Sequence, residues 1–396
     1  MYEKKFIYIK PEKGITLSEQ AADCFAAIKK TLKANQYKIE DILKQTIFIN
    51  TAGNDEFAAK KSELTAALER FYGSLFPPTA VVGQPPEEQK LLAIELIILK
   101  NRDEAVEISR KKLEDITYIT VQYPDFKEVY AAGCTAAVTN SDVYRQSKTS
   151  FDKMKQILEK ENLEFSDVLR QWNYIENITG STRFEDGDKQ NYQVFNDVRS
   201  IYYDTADFTK GYPAATGIGM NCGGIVLEFI AAKEADGIRI FSIRNPDQVN
   251  AHQYDRSYLV GQAIKLVREK TTPKFERAKL LANDSSYFVY ISGTAAIKGQ
   301  EVVAIGDVQA QTHITTENIA RLISHDNLKK HGLTINHNSD PLSYVRVYVK
   351  REGDIPQVKK ICSEYYEDVP SLYLISDICR DDLLVEIEGV VEYSSK

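Results

Sequence analysis

The sequence predicts an α+β protein in which three similar domains of one chain pack around a common axis as an intramolecular pseudo-trimer. The chain has 396 residues, which is more than one hydrophobic core usually serves. One order of helices and strands occurs three times along it, and each copy closes with a proline turn and an apolar strand that carries a glutamate. With 43% hydrophobic and 27% charged residues, the composition excludes collagen-like, disordered and coiled-coil classes.

The repeated unit consists of an amphipathic helix, a polar bridge, an apolar strand, a second amphipathic helix, a proline-containing turn and a final apolar strand. The first helices read SEQAADCFAAIKKTLKANQ, VYRQSKTSFDKMKQILEKENL and VQAQTHITTENIARLISHDNL, and the final strands read LLAIELIIL, IVLEFIAAK and LLVEIEGVV. A similar interval separates the turn from the glutamate, running from Pro77 to Glu95, from Pro213 to Glu228 and from Pro370 to Glu386. This spacing predicts that the three glutamates occupy equivalent positions.

Further strands precede the first helix of each copy, in the segments KKFIYIKP, ITYITVQYP and YFVYISGTAAIKG. Their alternation of apolar and polar residues suits a sheet with one face packed on helices. The glutamates are separated by the length of one small α+β domain, which predicts domains at 1–103, 110–235 and 236–396. Extra sequence at about 236–276 precedes the third copy. Three such sheets can meet around a shared axis.

The charge balance and the missing motifs narrow the class of protein. Fifty Lys and Arg against 57 Asp and Glu give a net charge of −7, so we expect neither nucleic acid nor an anionic membrane as a partner. No export signal or membrane span is predicted. The five cysteines have no CxxC pair or histidine partner, and no phosphate loop or dinucleotide fingerprint occurs. We therefore expect a cytoplasmic protein without a metal or a cofactor.

The repeated unit resembles the Rid (YjgF-like) family, which has a chorismate mutase-like fold. Its small proteins form homotrimers with ligand sites in the clefts between neighbouring subunits. In that family, an arginine two residues after the turn proline grips the substrate carboxylate. Here Thr79, Ala215 and Leu372 take that place, so the sequence does not predict Rid-type imine hydrolysis.

The second and third copies resemble a narrower family, the chorismatases, which split chorismate into pyruvate and a benzoate or a dihydroxy-cyclohexadiene acid. The phrases that carry this resemblance occur in order as RQWNYIENI, NYQVFNDVRS, NPDQVNAHQY, ISGTAAIKGQE and ICRDDLLVEIEG. Two departures stand beside them: GQEV replaces a GHES-like run, and a longer segment at 255–276 follows the NPDQ phrase. The first copy lacks these phrases, so we expect it to be structural and the working cleft to lie between the second and third copies.

Cleavage of the enol ether of chorismate requires a proton on its vinyl methylene carbon, which a protonated carboxylic acid in a dry cleft can supply. Its place in LLVEIEG matches Glu386 with the family's acid, and strand alternation points Glu388 to the same face. Apolar neighbours would raise the pKa of Glu386 by desolvation. The alternative is that both carboxylates are solvated.

The two carboxylates of chorismate need cationic partners, which arginine provides with bidentate geometry. The candidates for substrate binding are Arg170, Arg199, Arg346 and Arg380. Arg346 interrupts an apolar strand, so its guanidinium either faces a cleft or forms a structural salt bridge. Arg199 follows Tyr192 by seven residues on one predicted helix, so both can line one face of the cleft.

A glycine and a cysteine complete the candidate site. Gly293 allows close approach of the backbone to the substrate ring, or marks a bulge in a strand. Cys379 precedes Glu386 by seven residues and acts either at the site or as a small buried hydrophobe. The resemblance implies that Gly293 and Cys379 are those of the branch that yields 3-hydroxybenzoate.

The sequence thus predicts cleavage of chorismate, or of a close enol-ether carboxylic acid, to pyruvate and a hydroxybenzoate-type acid. Glu386 is the predicted general acid, and Cys379 is the second candidate catalytic residue. The alternative is a non-catalytic, Rid-like protein that binds or senses a small anionic carboxylate, which the two departures favour. Ribonuclease activity ranks last because no basic stripe is present. We expect a monomer with an internal pseudo-trimer, or a weak homo-oligomer.

Overall fold

The computed structural model describes residues 3–100, 105–136, 142–185, 187–283, 286–333 and 342–394. Within these ranges the longer strands form three sheets, each of which has its own helices packed on one face. The first sheet has four strands in the order β1-β4-β2-β3. Its elements are β1 (Lys4–Ile9), α1 (Leu17–Ala34), β2 (Ile42–Ile49), α2 (Asn54–Tyr72), β3 (Thr79–Val82) and β4 (Leu92–Leu99).

The second sheet has six strands in the order β11-β8-β12-β7-β6-β5, and a separate hairpin pairs β9 with β10. Its elements are β5 (Glu107–Leu113), β6 (Ile116–Gln122), β7 (Lys127–Thr135), α3 (Val143–Lys160), β8 (Val168–Glu176), β9 (Ser181–Phe184), β10 (Gly187–Gln190), α4 (Asn191–Tyr203), β11 (Ala214–Met220) and β12 (Ile225–Ala232).

The third sheet also has six strands, in the order β13-β14-β15-β20-β18-β19, and β16 pairs with β17 in a short hairpin. Its elements are β13 (Arg239–Ile243), β14 (Ala278–Ala282), β15 (Ser286–Ala295), β16 (Ile297–Lys298), β17 (Glu301–Val302), α5 (Val308–Leu322), α6 (His325–Lys330), β18 (Leu342–Val349), α7 (Ile355–Tyr365), β19 (Ser371–Ile375) and β20 (Val385–Ser394).

The same strand pairing recurs in all three sheets. A middle strand (β2, β8 or β18) pairs in parallel with the strand after the proline turn and antiparallel with the closing strand. One buried cluster joins the three units through residues such as Phe48, Trp172 and Tyr348, and three further clusters lie beneath the helices of the single units. The predicted α+β pseudo-trimer is therefore confirmed. The strands of the three sheets lie at 4–99, 107–232 and 239–394, while the exact domain boundaries stay a prediction.

A β-bulge in each middle strand fixes which residues of the three units are equivalent. The bulge falls at Leu43, Leu169 and Ser343, which the pairing with the closing strand skips. Three residues after the bulge, the middle strand lies opposite a glutamate of the closing strand in each unit: Glu95, Glu228 and Glu388. The equivalence predicted for Glu386 is therefore wrong by two residues, because the loop before the closing strand differs in length among the units.

The same register changes the meaning of Glu386. Five residues after the bulge, the residues opposite the middle strand are Ala93, Val226 and Glu386. The third unit alone has a carboxylate at this place, which agrees with a single specialised cleft. The register also aligns Thr79 and Ala215 with Ser371, one residue before the predicted Leu372, and none of these residues is an arginine.

The three equivalent glutamates form a cyclic set of ion pairs at the centre of the molecule. Each carboxylate pairs with a cation of a neighbouring unit: Arg346 with Glu95, Lys44 with Glu228, and Arg170 with Glu388, at distances of 2.6, 2.6 and 2.7 Å. All six side chains are buried. Because removal of one partner would leave a buried charge uncompensated, these pairs fix how the units associate.

The described part of the chain contains no helix with both the length and the apolar character of a membrane span.

Candidate active site

A cavity lies between the second and third units. The second unit contributes residues of α4 and β11, and the third contributes residues of β15, β20 and the long connection between β13 and β14. Its lining is Gln190, Tyr192, Gln193, Asn196, Ala215, Gly217, Tyr254, Tyr258, Leu259, Val260, Pro273, Phe275, Arg277, Gly293, Ala295, Ile297, Cys379, Arg380, Leu383 and Glu386. Of the predicted site residues, the structure brings together Tyr192, Gly293, Cys379, Arg380 and Glu386.

Glu386 supplies a carboxyl group that is nearly cut off from solvent. Glu386 lies on β20 and is 4% exposed. Its carboxyl group makes no hydrogen bond to the residues that the structure describes. Burial, followed by the nearby charge of Glu388, raises its pKa from 4.5 to about 8, against the opposing effect of Arg170 and Arg277. At neutral pH the group therefore holds its proton and can deliver it into the cavity.

Glu388 faces the same side of β20 but has a different environment. Its Oε2 accepts a hydrogen bond from Arg170 at 2.7 Å and its Oε1 accepts one from the Trp172 indole at 2.7 Å, while the Thr216 hydroxyl donates to Oε2. Arg346 approaches Oε1 at 3.1 Å. These partners hold Glu388 as a core carboxylate that does not line the cavity.

Gly293 provides the close approach that the Glu386 carboxyl group needs. A Cβ atom at this position would overlap Oε1 of Glu386 and lie 3.1 Å from Cγ2 of Thr216. The Gly293 N–H donates to the Thr216 hydroxyl at 2.9 Å, which fixes the backbone across the seam between the two units. Any larger residue at position 293 would displace the carboxyl group.

Two guanidinium groups line the cavity and share one aromatic ring. Arg277 is 2% exposed and donates from Nη2 to the Val249 carbonyl at 2.5 Å and to the Tyr254 hydroxyl at 2.7 Å. Its buried Nε has no hydrogen-bond partner within the described ranges. Arg380 donates to the Gln300 carbonyl at 2.9 Å and lies 5.1 Å from the Tyr254 ring centre. The spare donors of two arginines suit a ligand with two carboxylates.

Tyr192 and Cys379 are neutral members of the lining. Burial raises the pKa of the Tyr192 hydroxyl above its ordinary value of 10.0. Burial also raises the pKa of the Cys379 thiol to about 12, and the adjacent Glu386 adds to this effect. The thiol is therefore protonated at neutral pH, which makes it a poor nucleophile.

Three predicted substrate-binding arginines lie outside the cavity lining. Arg170 and Arg346 are held by the central carboxylates, so their charges are already compensated by the protein. Arg199 is buried on α4, donates to the Asn196 Oδ1 at 2.5 Å and lies over the Phe195 ring. The role of these three arginines in substrate binding stays a prediction. In the structure Arg170 and Arg346 lie in the core, and Arg199 contacts Asn196, which lines the cavity.

Sequence reasoning missed Arg277, Asn196 and Tyr254. Arg277 directly precedes β14, whose five residues are all buried. A charged residue at the edge of a buried strand is the signal that would have singled it out. The signals for the other two residues were weaker. Asn196 is a polar residue in the NYQVFNDVRS phrase, on a helix that is mostly buried, and Tyr254 ends the NPDQVNAHQY phrase directly before the long segment 255–276.

Both departures from the family phrases lie at the cavity. The segment 255–276 contributes five lining residues, and Ile297 leads into the β16–β17 hairpin that contains GQEV. The two departures also contact each other, because the Tyr258 hydroxyl donates to Glu301 at 3.0 Å and the Asp255 N–H donates to Gln300 at 3.0 Å. In the part of the chain that the structure describes, no group of His, Cys, Asp and Glu side chains is arranged to hold a metal ion.

The cleft between two tandem units thus contains a protonated carboxyl group and two guanidinium groups. This arrangement, on a repeated α+β fold, is typical of a site for small carboxylates. A solved chorismatase structure has the same fold over 98% of both chains, with a TM-score of 0.70 and 22% identity. The family profile described as chorismatase FkbO/Hyg5-like, N-terminal, matches residues 104–231.

Relatives in sequence identify the family more closely. The chain is 34% identical over 269 residues to a 3-hydroxybenzoate synthase of Streptomyces hygroscopicus, which covers 65% of this chain and 73% of the relative. It is 37% identical over 235 residues to a chorismatase of Streptomyces rapamycinicus, which covers 58% of this chain and 65% of the relative. The chain belongs to the chorismatase family.

Proposed function

We propose that this protein cleaves the enol ether of chorismate, or of a close enol-ether carboxylic acid, to pyruvate and a hydroxybenzoate-type acid. The observation that carries the proposal is the carboxyl group of Glu386, whose burial raises its pKa to about 8 in a cavity that Arg277 and Arg380 also line. The names of two relatives, a 3-hydroxybenzoate synthase and a chorismatase, support this substrate class.

In the proposed reaction, Glu386 donates its proton to the methylene carbon of the enol ether. Positive charge then develops on the adjacent carbon and the ether oxygen, and the new Glu386 carboxylate stabilises it at short range in a site of low dielectric. When the bond between the ring carbon and the ether oxygen breaks, its electron pair moves to the oxygen and pyruvate leaves with its ketone formed. The remaining ring is a cation, and loss of one ring proton to the Glu386 carboxylate makes the ring aromatic and restores the acid. Pyruvate and hydroxybenzoate together contain all the atoms of chorismate, whereas a dihydroxy acid as co-product requires one added water.

Arg277 and Arg380 are the proposed partners of the two substrate carboxylates. Arg277 takes the role that the arginine after the turn proline has in Rid proteins, since Ala215 occupies that place in this cleft. Its guanidinium is oriented by Tyr254 and Val249, which leaves other donors for a ligand. Such fixed donors orient the enol ether relative to Glu386 before proton transfer.

Gly293, Cys379 and Tyr192 are proposed to shape the part of the cavity that receives the ring. Gly293 leaves room beside Glu386, and the neutral Cys379 thiol presents a small, weakly polar surface. We propose that this lining favours the branch to 3-hydroxybenzoate. Arg170 acts indirectly, because it holds Glu388 two residues from the acid.

The second candidate function is non-catalytic binding of a small carboxylate. The GQEV hairpin and segment 255–276 favour it, because both depart from the family phrases where they meet the cavity. In that case the same arginines would bind the ligand, but Glu386 would not transfer its proton.

The test measures pyruvate release from chorismate with lactate dehydrogenase and identifies the co-product by chromatography. Wild type is compared with Glu386→Gln and with Glu392→Gln, a control carboxyl group on the same strand whose pKa burial raises to about 7 outside the cavity. We expect pyruvate from the wild type and the control only. Full activity of Glu386→Gln would remove Glu386 from the mechanism, and a melting temperature raised by chorismate without pyruvate would indicate the binding protein.

A further inference from the structure

The segment 255–276, which we call the strap, forms an outer wall of the cavity. It contains one short 3₁₀ turn and no strand. Its contribution to the lining is Tyr258, Leu259, Val260, Pro273 and Phe275. Val260 is also 57% exposed, so at this residue the strap meets solvent as well as the cavity.

A single buried carboxylate ties the strap to the second unit. Asp197 on α4 is 0% exposed and accepts hydrogen bonds from the Ile264 N–H at 3.0 Å, the Thr271 N–H at 3.1 Å and the Thr271 hydroxyl at 2.8 Å. Gln193 of the same helix donates to it at 2.8 Å. No basic side chain in the described ranges pairs with Asp197, so the strap itself supplies most of the donors that compensate this buried charge.

Other contacts also hold the strap, one to the second unit and one between its own two halves. The Lys189 ammonium donates to the Ala263 carbonyl at 2.7 Å, and Lys270 donates to the Leu259 carbonyl at 2.5 Å within the strap. Tyr258 reaches the β16–β17 hairpin through Glu301. Asp197 differs from these groups because, from the second unit, it binds two backbone N–H groups of the strap that lie seven residues apart, and so it ties both halves of the strap to α4.

We propose that Asp197 is a positioning residue that holds the strap closed over the cavity and keeps water away from Glu386. The proposal rests on the proposed function, in which Glu386 must stay protonated. Dry surroundings maintain that state, and the strap is a part of the wall that is exposed to solvent at Val260.

The groups that face Glu386, from its own strand and from other elements, do not contact Asp197. They are Glu388 on its own strand, Arg170 of β8, Arg277 before β14, Tyr192 of α4 and Cys379 before β20. Their charges stay in place when Asp197 is changed. A lower pKa of Glu386 in such a variant would therefore report entry of water rather than loss of a charged neighbour.

Asp197→Asn is the informative variant because it keeps the size of the side chain. Its amide nitrogen must face one of the strap N–H groups, where two donors meet, so at least one anchor is lost. Thr271→Val removes only the hydroxyl anchor and serves as the milder second variant. The control is Asp152→Asn on α3, whose carboxylate bonds to Tyr202 and Lys148 away from the strap.

Hydrogen exchange of strap peptides and the pH profile of kcat/KM are measured for each protein. For Asp197→Asn we expect at least tenfold faster exchange confined to the strap, a raised KM, and an alkaline limb of activity that moves down by about one pH unit. Thr271→Val should give smaller changes in the same direction, and Asp152→Asn none. Unchanged strap exchange, or faster exchange with an unmoved alkaline limb, would overturn the proposal.

A readout without substrate separates this proposal from the proposed function. The infrared band of the Glu386 carboxylic acid is isolated as the difference between the spectrum of a protein and that of its Glu386→Gln counterpart. This difference is followed against pH in the wild-type background and in the Asp197→Asn background. A midpoint that falls with the Asp197 variant supports the strap proposal even if chorismate is not cleaved. An identical midpoint contradicts it, whatever the substrate.

Discussion

Replacing Glu386 by Gln should stabilise the folded protein at alkaline pH and leave its stability at low pH nearly unchanged. Burial in the folded state raises the pKa of this carboxyl group from 4.5 to about 8. Between these values the folded protein keeps a proton that the unfolded chain releases. The free energy of unfolding of the wild type therefore falls as pH rises through this interval. Below the lower value both states are protonated, and the group has no effect.

The size of the effect follows from the width of that interval. Each pH unit is equivalent to about 1.4 kcal/mol for one proton, so the full interval corresponds to roughly 5 kcal/mol above pH 8. Glutamine has nearly the same shape and does not ionise. The carboxyl group of Glu386 makes no hydrogen bond within the described residues, so its replacement by an amide loses none.

Urea unfolding at pH 5, 7 and 9, followed through the buried Trp172, measures the free energies of both proteins. We expect Glu386→Gln to gain on the wild type steadily as the pH rises. The raised pKa of Glu392 is common to both proteins, so its contribution cancels in the difference. Equal pH dependence in the two proteins would refute the argument that burial keeps Glu386 protonated.

Three other substitutions test the packing and the cavity. Gly293→Ala should lower kcat by about a hundredfold through displacement of the acid, whereas Gly53→Ala, where a Cβ meets nothing, should leave pyruvate release unchanged. Arg346→Met should cost about 3–5 kcal/mol in urea unfolding, against less than about 0.5 kcal/mol for the exposed Lys148→Met; equal losses would contradict the central ion pairs. Arg277→Gln should raise KM about 10- to 100-fold through lost charge-assisted hydrogen bonds, and an unchanged KM would exclude a carboxylate contact.

The repeated fold could be predicted because its signals are local. Helical periodicity, strand alternation and proline turns recur within each unit, and each unit must bury its own sheet face. The proposed acid came from the same local information, since Glu386 lies in a strand phrase that resembles those of the chorismatases. Gly293, next to it on the neighbouring strand of the same sheet, came from its phrase in the same way.

The parts that sequence could not predict depend on partners far apart in the chain. Pairing between strands, rather than distance from a proline, makes Glu388 the equivalent of Glu95, because the intervening loops differ in length. Arg346 was assigned to substrate because its carboxylate partner, Glu95, belongs to another unit. Arg277 was overlooked since no repeat or motif marks the place where the strap returns to the sheet.

The rate of pyruvate release from chorismate, measured with wild type from pH 6 to pH 10, tests the central claim most directly. The account predicts a plateau at neutral pH and a rate that falls about tenfold per pH unit above about pH 8, with no pyruvate from Glu386→Gln at any pH. A rate that stays level or rises above pH 8, or a Glu386→Gln protein that releases pyruvate as fast as wild type, would contradict it.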